Sequence, residues 1–451
     1  MARFLAPRPP HRPEGVSVLG RWRRARRDLF SALKPGLYRA WMAEVRTPLR
    51  DAYLVNQPDL VRLALVSRPQ DFPKADAIAT ALADLLGESV FVTNGPQWER
   101  QRRIIDPAFE GGKLQAIFPS MLEAAEAAAE RLAARAGEEP VEIEAEASRL
   151  AADIIFRALF SAPIGAAEAA AVFDAFSRYQ AAGPVVSLLD VIGAPRWAPR
   201  LRRGRREARA IRALVGALVA RRAEEIAAGA APDDLATRIM TTPDPGTGAV
   251  FGAAEMLDQV MIFFLAGHET SASALAWALW LLANDAEAQA RARAEIDAAG
   301  PPSPSMLRRL PFTRDVFREA LRLYPPVPML VRETARPELL RKRDIRRGSF
   351  FILSPWHLHR HERIWPEPDR FDPERWSRPE EAAPRREAYI PFSTGPRVCP
   401  GAGFAMMEGV LSLAILLARF SFAPAKGSPP RPVARLTLRS ASGIRLLVVP
   451  R

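Results

Sequence analysis

Cys399 is the only cysteine of the chain, and it stands in Phe392-Ser-Thr-Gly395-Pro-Arg397-Val-Cys399-Pro-Gly401. A lone cysteine cannot form an internal disulfide and cannot build a multi-cysteine zinc or iron–sulfur site. Two chemistries remain for it, a nucleophile or a single thiolate ligand. Its neighbours favour a ligand. Gly395 and Gly401 lack a Cβ, so backbone there can approach something flat and large. Arg397 places a cation two residues before the sulfur. Gly401-Ala-Gly-Phe-Ala-Met-Met-Glu408 then opens an apolar helical run. Cys399 therefore lies just ahead of a helix N-terminus, where free N–H groups and the dipole stabilise a thiolate. A buried structural cysteine beside a glycine turn is the plainer alternative, and the whole ten-residue constellation weighs against it.

Ala266-Gly267-His268-Glu269-Thr270 is a second place where chemistry is possible. Gly267 leaves room beside the helix and weakens the local hydrogen-bond ladder. The Thr270 hydroxyl can bond back to the carbonyl four residues earlier, or to a water, and so open the helix. An acid followed by a hydroxyl can relay protons. His268 reads as a packing or surface residue rather than a ligand. Trp98 and Arg102 are spaced i, i+4 on one helix face, and both are donors, which suits an anion. Glu319 and Arg322, spaced i, i+3, can pair on one face. Taken alone they are an ordinary helical ion pair. His357, His359 and His361 look at first like a metal site, but they lack a cysteine or acid at zinc-finger spacing.

These residues need elements to hold them. From about 115 to 300 the sequence reads helix after helix, with apolar residues at three- and four-residue spacings. Gln259 through Ala283 is apolar on all sides and long enough to span a bilayer. His268, Glu269 and Thr270 fall at its middle, where a charge in lipid is costly, so a helix buried inside a large protein fits better. Leu201 through Ile226 predicts a long basic helix. Thr313 is expected to cap the helix that carries Glu319 and Arg322, and Pro325 to stop it. Asp51-Ala-Tyr-Leu-Val, Val327-Pro-Met-Leu-Val-Arg, Ser349-Phe-Phe-Ile-Leu and Leu436-Thr-Leu-Arg-Ser predict short strands. A helix is expected to begin at Pro58. The expected fold is mainly α, with a large helical part and a small β-rich part.

The stretch around Cys399 resembles the haem-binding loop of the cytochrome P450 family, F-x-x-G-x-R-x-C-x-G, at every specified position. The resemblance implies a cytochrome P450 fold around a buried haem b, with Cys399 as the axial thiolate of its iron and Phe392, Gly395, Arg397 and Gly401 shaping the loop. A thiolate ligand favours O–O cleavage over oxygen carriage. Trp98 and Arg102 resemble the W-x-x-x-R pattern, and with Arg332 and Arg397 they are the implied partners of the haem propionates. Ala266 to Thr270 resembles the oxygen-activation motif A-G-x-[DE]-T, which implies catalytic parts for Gly267, Glu269 and Thr270. Glu319 and Arg322, with Arg375 in Pro373-Glu-Arg375-Trp, resemble the Glu–Arg–Arg network that holds the cysteine loop, a structural task. His359-Arg360 through Pro373 resembles the H-R…W-x-x-P…F-x-P stretch.

The implied activity is a haem-thiolate monooxygenase. It would insert one oxygen atom of O2 into a small apolar substrate, by hydroxylation or epoxidation. Alternatives within the family are peroxide-driven or oxygen-independent haem-thiolate enzymes, which typically lose the acid–threonine pair that this chain keeps. A non-enzymatic haem-thiolate sensor would need no such relay. Phe263, Phe264, Ala266, Met329 and Leu330 are expected to line the substrate pocket.

The 451 residues, 48% of them hydrophobic, can enclose a cofactor and a pocket. No linker or repeat divides them, so one domain over 1–451 is expected, with about the first 25 residues extended. No flavin or iron–sulfur module is visible, so electrons should come from a ferredoxin or flavodoxin with its NAD(P)H reductase. The net charge of +13 suits an acidic partner. Arg100, Arg103, Lys113, Arg385 and Arg386 are the expected docking cations. No helix-turn-helix or RNA-binding signature supports nucleic acid. No apolar N-terminal segment is long enough for a signal or anchor, so a cytoplasmic monomer is expected.

Overall fold

The computed structural model describes residues 4–10, 28–46, 50–165, 167–181 and 204–451, with positions 15, 20 and 24. Residues 201–203 of the expected basic helix, and most of the first 25, lie outside the described residues. Residues 4–10 are extended: Leu5 bridges Arg370, and Phe4 packs edge-on against Trp280.

Four short strands form one sheet. β1 (Met42–Val45) runs antiparallel to β2 (Ala52–Val55), with Met42 opposite Val55. Val141–Glu142, β3, belongs to a second sheet. β4 (Leu330–Glu333) and β5 (Phe350–Leu353) complete the first, in the order β1-β2-β5-β4. β5 is parallel to β2 and antiparallel to β4, which puts Arg332 opposite Phe351. The apolar runs read as strands are thus strands, and a helix does begin at Pro58. Toward the C-terminus, β6 (Phe420–Pro424) pairs with the last strand, while β7 (Pro432–Ala434) and β8 (Leu438–Ser440) make a two-stranded ribbon.

Helices make up most of the rest. They include α1 (Asp76–Leu86), α2 (Gly95–Ile105), α3 (Phe118–Ala133), α4 (Ile143–Phe160), α5 (Ala167–Ala181) and α6 (Arg205–Ala227). Then come α7 (Ala253–Ala283), α8 (Pro311–Leu323) and α9 (Ala402–Arg419). Local chemistry sets several ends. The Glu142 carboxylate caps α4 by accepting from Glu144 N and Ala145 N at 3.1 and 2.7 Å, where an anion also suits the helix dipole. Pro311 opens α8 with its missing donor in a position that needs none. Thr313 does not cap that helix as expected. It lies inside the first turn, and Glu295 accepts from Phe312 N, Thr313 N and the Thr313 hydroxyl at 2.7–2.8 Å.

α7 is the axis of the molecule and packs on α4, α6, α8 and α9. Its run of small and large apolar residues explains its burial from Asp258 to Ala283, broken only at Ala266, Gly267 and Thr270. α9 has the length and apolarity of a membrane span but is mostly buried in the fold. α8 and α9 cross at Gly409, where a Cβ would stand 2.1 Å from Phe317 Cζ. The glycine sets how close the two helices come.

Candidate active site

The loop carrying Cys399 is shaped by its own backbone. Val398 N donates to Gly395 O at 3.0 Å and Cys399 N to Phe392 O at 2.9 Å. Gly395 has φ +71°, and a Cβ there would lie 2.1 Å from the Leu65 carbonyl oxygen. Its need for glycine thus comes from a neighbouring turn of the protein itself. Gly401 begins α9, with its Cβ position 3.9 Å from Cys399 Sγ and 4.0 Å from the Phe109 ring. Cys399 is exposed, yet burial raises its thiol above the ordinary value, against the pull of the Gly401 N–H and Arg102. Both hold if the surface it exposes is the wall of an interior cleft.

α7 keeps one accessible stretch, joined to the cysteine side by contacts at both ends. Between Asp258 and Ala283 every residue is buried except Ala266, Gly267 and Thr270. Phe263, one turn earlier on that face, meets Phe109 at 5.5 Å between ring centroids, and Phe109 reaches Gly401. Directly after Thr270, the Ser271 hydroxyl bonds Glu408 of α9 at 2.6 Å. The accessible stretch of α7 is therefore bracketed by two contacts to the cysteine side.

Within that stretch the Thr270 hydroxyl donates to Ala266 O at 2.6 Å, the expected bond back along the helix. A Cβ on Gly267 would stand 3.1 Å from Ile155 of α4, so this glycine serves the close approach of two helices. Glu269 points away from Thr270. Its Oε2 accepts from the Thr437 hydroxyl at 3.0 Å, and Arg439 Nη2 lies 3.7 Å from Oε1. Burial raises its carboxyl despite Arg439. His268 is a packing residue as expected, with Nε2 2.7 Å from the Ser148 hydroxyl and its ring 5.6 Å from that of Phe264. Burial keeps it neutral, with its pKa lowered to about 3. Phe264 does not line the cleft. It is 2% exposed and packs on Phe156 and Phe176. Two residues along a helix turn the side chain some 200° from Ala266, onto the far face. Met329 and Leu330 are half-buried at the start of β4.

Cations collect at one side of the cleft. Arg102 donates to Val398 O at 2.6 Å. Its one acid neighbour is Asp106, 2.8 Å from Nε, though neither atom makes a well-aligned hydrogen bond. Arg397 bonds the carbonyls of Pro69 and Phe72 at 2.7 and 3.2 Å and lies 5.3 Å from the Trp98 ring centre. Among the described residues the Arg332 side chain bonds only the carbonyl of Val331, and its buried Nε has no partner. Burial and then Arg397 lower it to about 10. Lys74, which the sequence reading missed, bridges Arg332 backbone to backbone. Burial, Arg332, Arg397 and Arg102 push it well below the usual lysine value. Like charges directly opposite in a sheet repel. No carboxylate of the described residues hydrogen-bonds Lys74, Arg332 or Arg397. The arrangement needs an anion, and a flat cofactor carrying carboxylates fits it.

The Glu–Arg–Arg network is present and fully buried. Arg322 forks onto Glu319 at 2.8 and 2.9 Å, and Arg375 Nε bonds Glu319 Oε1 at 2.9 Å. Burial alone would raise Glu319, but the two arginines more than offset it and hold it below the ordinary value. The link to the cysteine loop is His359. Its Nδ1 lies 3.3 Å from Arg322 O, and its Nε2 accepts from Ile390 N at 2.9 Å. Accepting at Nε2 requires the neutral ring, and burial with Arg322 lowers its pKa to about 3. The three neighbouring histidines diverge: His357 bonds Ser354, and His361 stacks on Trp41 at 4.2 Å.

Several of the expected docking cations are already engaged. Arg100 pairs with Glu255 at 2.7 Å, and Arg103 forks onto Asp244 at 2.6 and 3.1 Å. Arg385 bonds the carbonyls of Arg375 and Arg378. Lys113 and Arg386 are exposed.

The sequence matches the family model described as Cytochrome P450 over residues 38–448. It is 32% identical to cyclooctatin synthase of Streptomyces melanosporofaciens, over 91% of this chain and 89% of that protein. It is 33% identical to cyclooctat-9-en-7-ol 5-monooxygenase of the same organism, over 92% and 90%. The fold is similar to the crystal structure of the cytochrome P450DA heme domain, with a TM-score of 0.82, 24% identity and 99% of each chain covered.

Proposed function

The chain belongs to the cytochrome P450 family, a haem-thiolate monooxygenase, and we propose that Cys399 supplies the thiolate, with haem b as the cofactor. The haem, when bound, supplies O2 activation; substrate and redox partners complete the reaction. The residues of this chain bind, orient and handle protons. Arg102, Arg332, Arg397 and the Trp98 indole hold the cofactor carboxylates. Phe392, Gly395 and Gly401 fix the loop around the sulfur. Glu319, Arg322 and Arg375 keep that loop placed through His359. On the opposite wall Ala266 and the turn at Gly267 border the reacting space. The Thr270 hydroxyl, released from Ala266 O, holds a proton or a water there. Glu269 brings protons inward by leaving Thr437 and Arg439 for the Thr270 side, which its burial-raised carboxyl assists.

Phe263, Ala266, Met329 and Leu330 offer an apolar wall, so the substrate is largely hydrocarbon, of the kind named for the two Streptomyces relatives. One buried cluster running from Ala6 to Val448 supports a single domain. A monomer in the cytoplasm, reduced by a separate ferredoxin or flavodoxin with its NAD(P)H reductase, completes the proposal. The observation that carries it is the exposed Cys399 in its glycine-shaped loop, on the side of the fold that Phe263 through Phe109 and Ser271 through Glu408 join to the open stretch of α7. Cys399→Ser is expected to lose the thiolate-type spectrum of the ferrous–CO complex, or to lose haem. An unchanged spectrum would remove the assignment.

A further inference from the structure

The segment 87–94 between α1 and α2 is held by its neighbours at every turn. On the α7 side, Glu88 N donates to Asp258 Oδ2 at 2.8 Å and Val90 N to Gln259 Oε1 at 2.9 Å. From α2, Gln101 Nε2 donates to Glu88 O at 2.7 Å, and the Thr93 hydroxyl donates to Gln101 Oε1 at 2.6 Å. The third anchor is Lys74. Its ammonium donates to Val90 O at 2.6 Å and Thr93 O at 3.1 Å. Its backbone trades hydrogen bonds with the Asn94 amide at 3.0 and 3.1 Å. At the tip of the segment Phe91 stays 40% exposed.

The same ammonium belongs to the cation cluster. It stands 5.6 Å from the Trp98 ring centre and opposite Arg332. An ammonium has three N–H donors, and the two carbonyls take two. Burial first, and then Arg332, Arg397 and Arg102, disfavour the charged form, and a neutral amine grips the carbonyls less than a charged one. An anion set among these cations restores the charge.

We propose that Lys74 is a two-sided positioning residue: it shares the cofactor's carboxylate with Arg102, Arg332 and Arg397, and through Val90 O and Thr93 O it holds segment 87–94 against α7. Cofactor binding and the seating of segment 87–94 against α7 are then one event. This rests on the haem reading above. No sequence motif marks Lys74; only the bridge to Arg332 brings it to the cluster.

The test compares haem-loaded wild type with Lys74→Met, and with Lys74→Arg, which keeps a charged donor and guards against a folding defect in the first variant. Three readouts are taken: the ferrous–CO spectrum, the rate of haem transfer to apomyoglobin, and hydrogen exchange of peptides covering 86–94 and 311–323. In Lys74→Met, haem transfer and exchange at 86–94 are both expected to rise at least tenfold. Exchange at 311–323 should be unchanged, and Lys74→Arg should stay within about threefold of wild type. If only one of the two rates rises, or neither, the coupling is overturned while the haem reading stands. A wild type without the thiolate-type spectrum overturns both.

Discussion

Two acids beside Thr270 behave differently because their surroundings differ. Glu269 has a cation and a hydroxyl within reach at the β7–β8 ribbon, so it can be held and released. Thr270→Ala removes the hydroxyl proposed to receive the proton on the cleft side. The variant is expected to bind haem and substrate, yet to give several-fold less product per NAD(P)H and more hydrogen peroxide. Unchanged coupling would place the relay elsewhere. Glu408 has only Ser271. Burial pushes it up to about 8, and Ser271 only partly counters this. The folded value lies above that of an unfolded glutamate, about 4.3. Between those values the native state keeps a proton that the unfolded chain has lost, so stability falls as pH rises through the window. Glu408→Gln keeps the hydrogen bond without the titration. Its thermal midpoint should match wild type near pH 4.5 and exceed it at pH 8, by on the order of 4 kcal/mol in stability at most. Parallel curves for the two proteins would show that Glu408 is ionised in the fold.

At the scale of elements, the task is to hold an irregular loop in register with two helices. Loops carry few backbone bonds of their own, so the cysteine loop borrows rigidity. It rests on the turn at Leu65 through Gly395, and on α8 through Arg322, His359 and Ile390. Removing one partner of a buried ion network leaves the others uncompensated. Glu319→Gln leaves Arg322 without its carboxylate beside Arg375, which keeps Glu381. The expected loss is about 3–5 kcal/mol in urea unfolding of the haem-loaded protein, with faster haem loss. A loss under about 1 kcal/mol would show that the carbonyls of His359, Pro368 and Arg370, which Arg322 also binds, suffice.

At the scale of the molecule, the formal charge of +13 sets a field that attracts acidic partners. Association rates rise 10- to 1,000-fold with complementary fields and fall with salt. Arg100 and Arg103 are spent on Glu255 and Asp244, so reversing them would disturb the loop before α7. Lys113 and Arg386 are exposed, Arg386 in a surface pair with Glu387 at 3.4 Å, and both are close in sequence or in space to the cysteine side. Leu114, next to Lys113, reaches the Gly403 position of α9, and Arg386 lies in the helix just before the cysteine loop. Reduction by an acidic ferredoxin should slow with rising ionic strength, and slow further for Lys113→Glu/Arg386→Glu measured by stopped flow. A rate indifferent to salt and to both reversals would remove docking on this face.

The Thr270 bond to Ala266, the Glu319–Arg322 pair and the strands after Pro325 were legible from local chemistry, and the cysteine loop from its match to a family motif. Each depends on residues a few positions apart, where spacing fixes geometry. Burial of the helix at 259–283 was likewise readable, because its apolar residues leave no face for water. What tertiary structure decided are the meetings of distant segments. Lys74 joins Arg332 only through a bridge across 258 residues of sequence. Glu269 turns to Thr437, and Glu408 to Ser271, by helix rotations that composition does not express. Arg100 and Arg103 read as free cations until Glu255 and Asp244 came within reach. Phe264 left the cleft because a long buried helix must choose which of its apolar faces opens inward. That choice belongs to the helices packed around it.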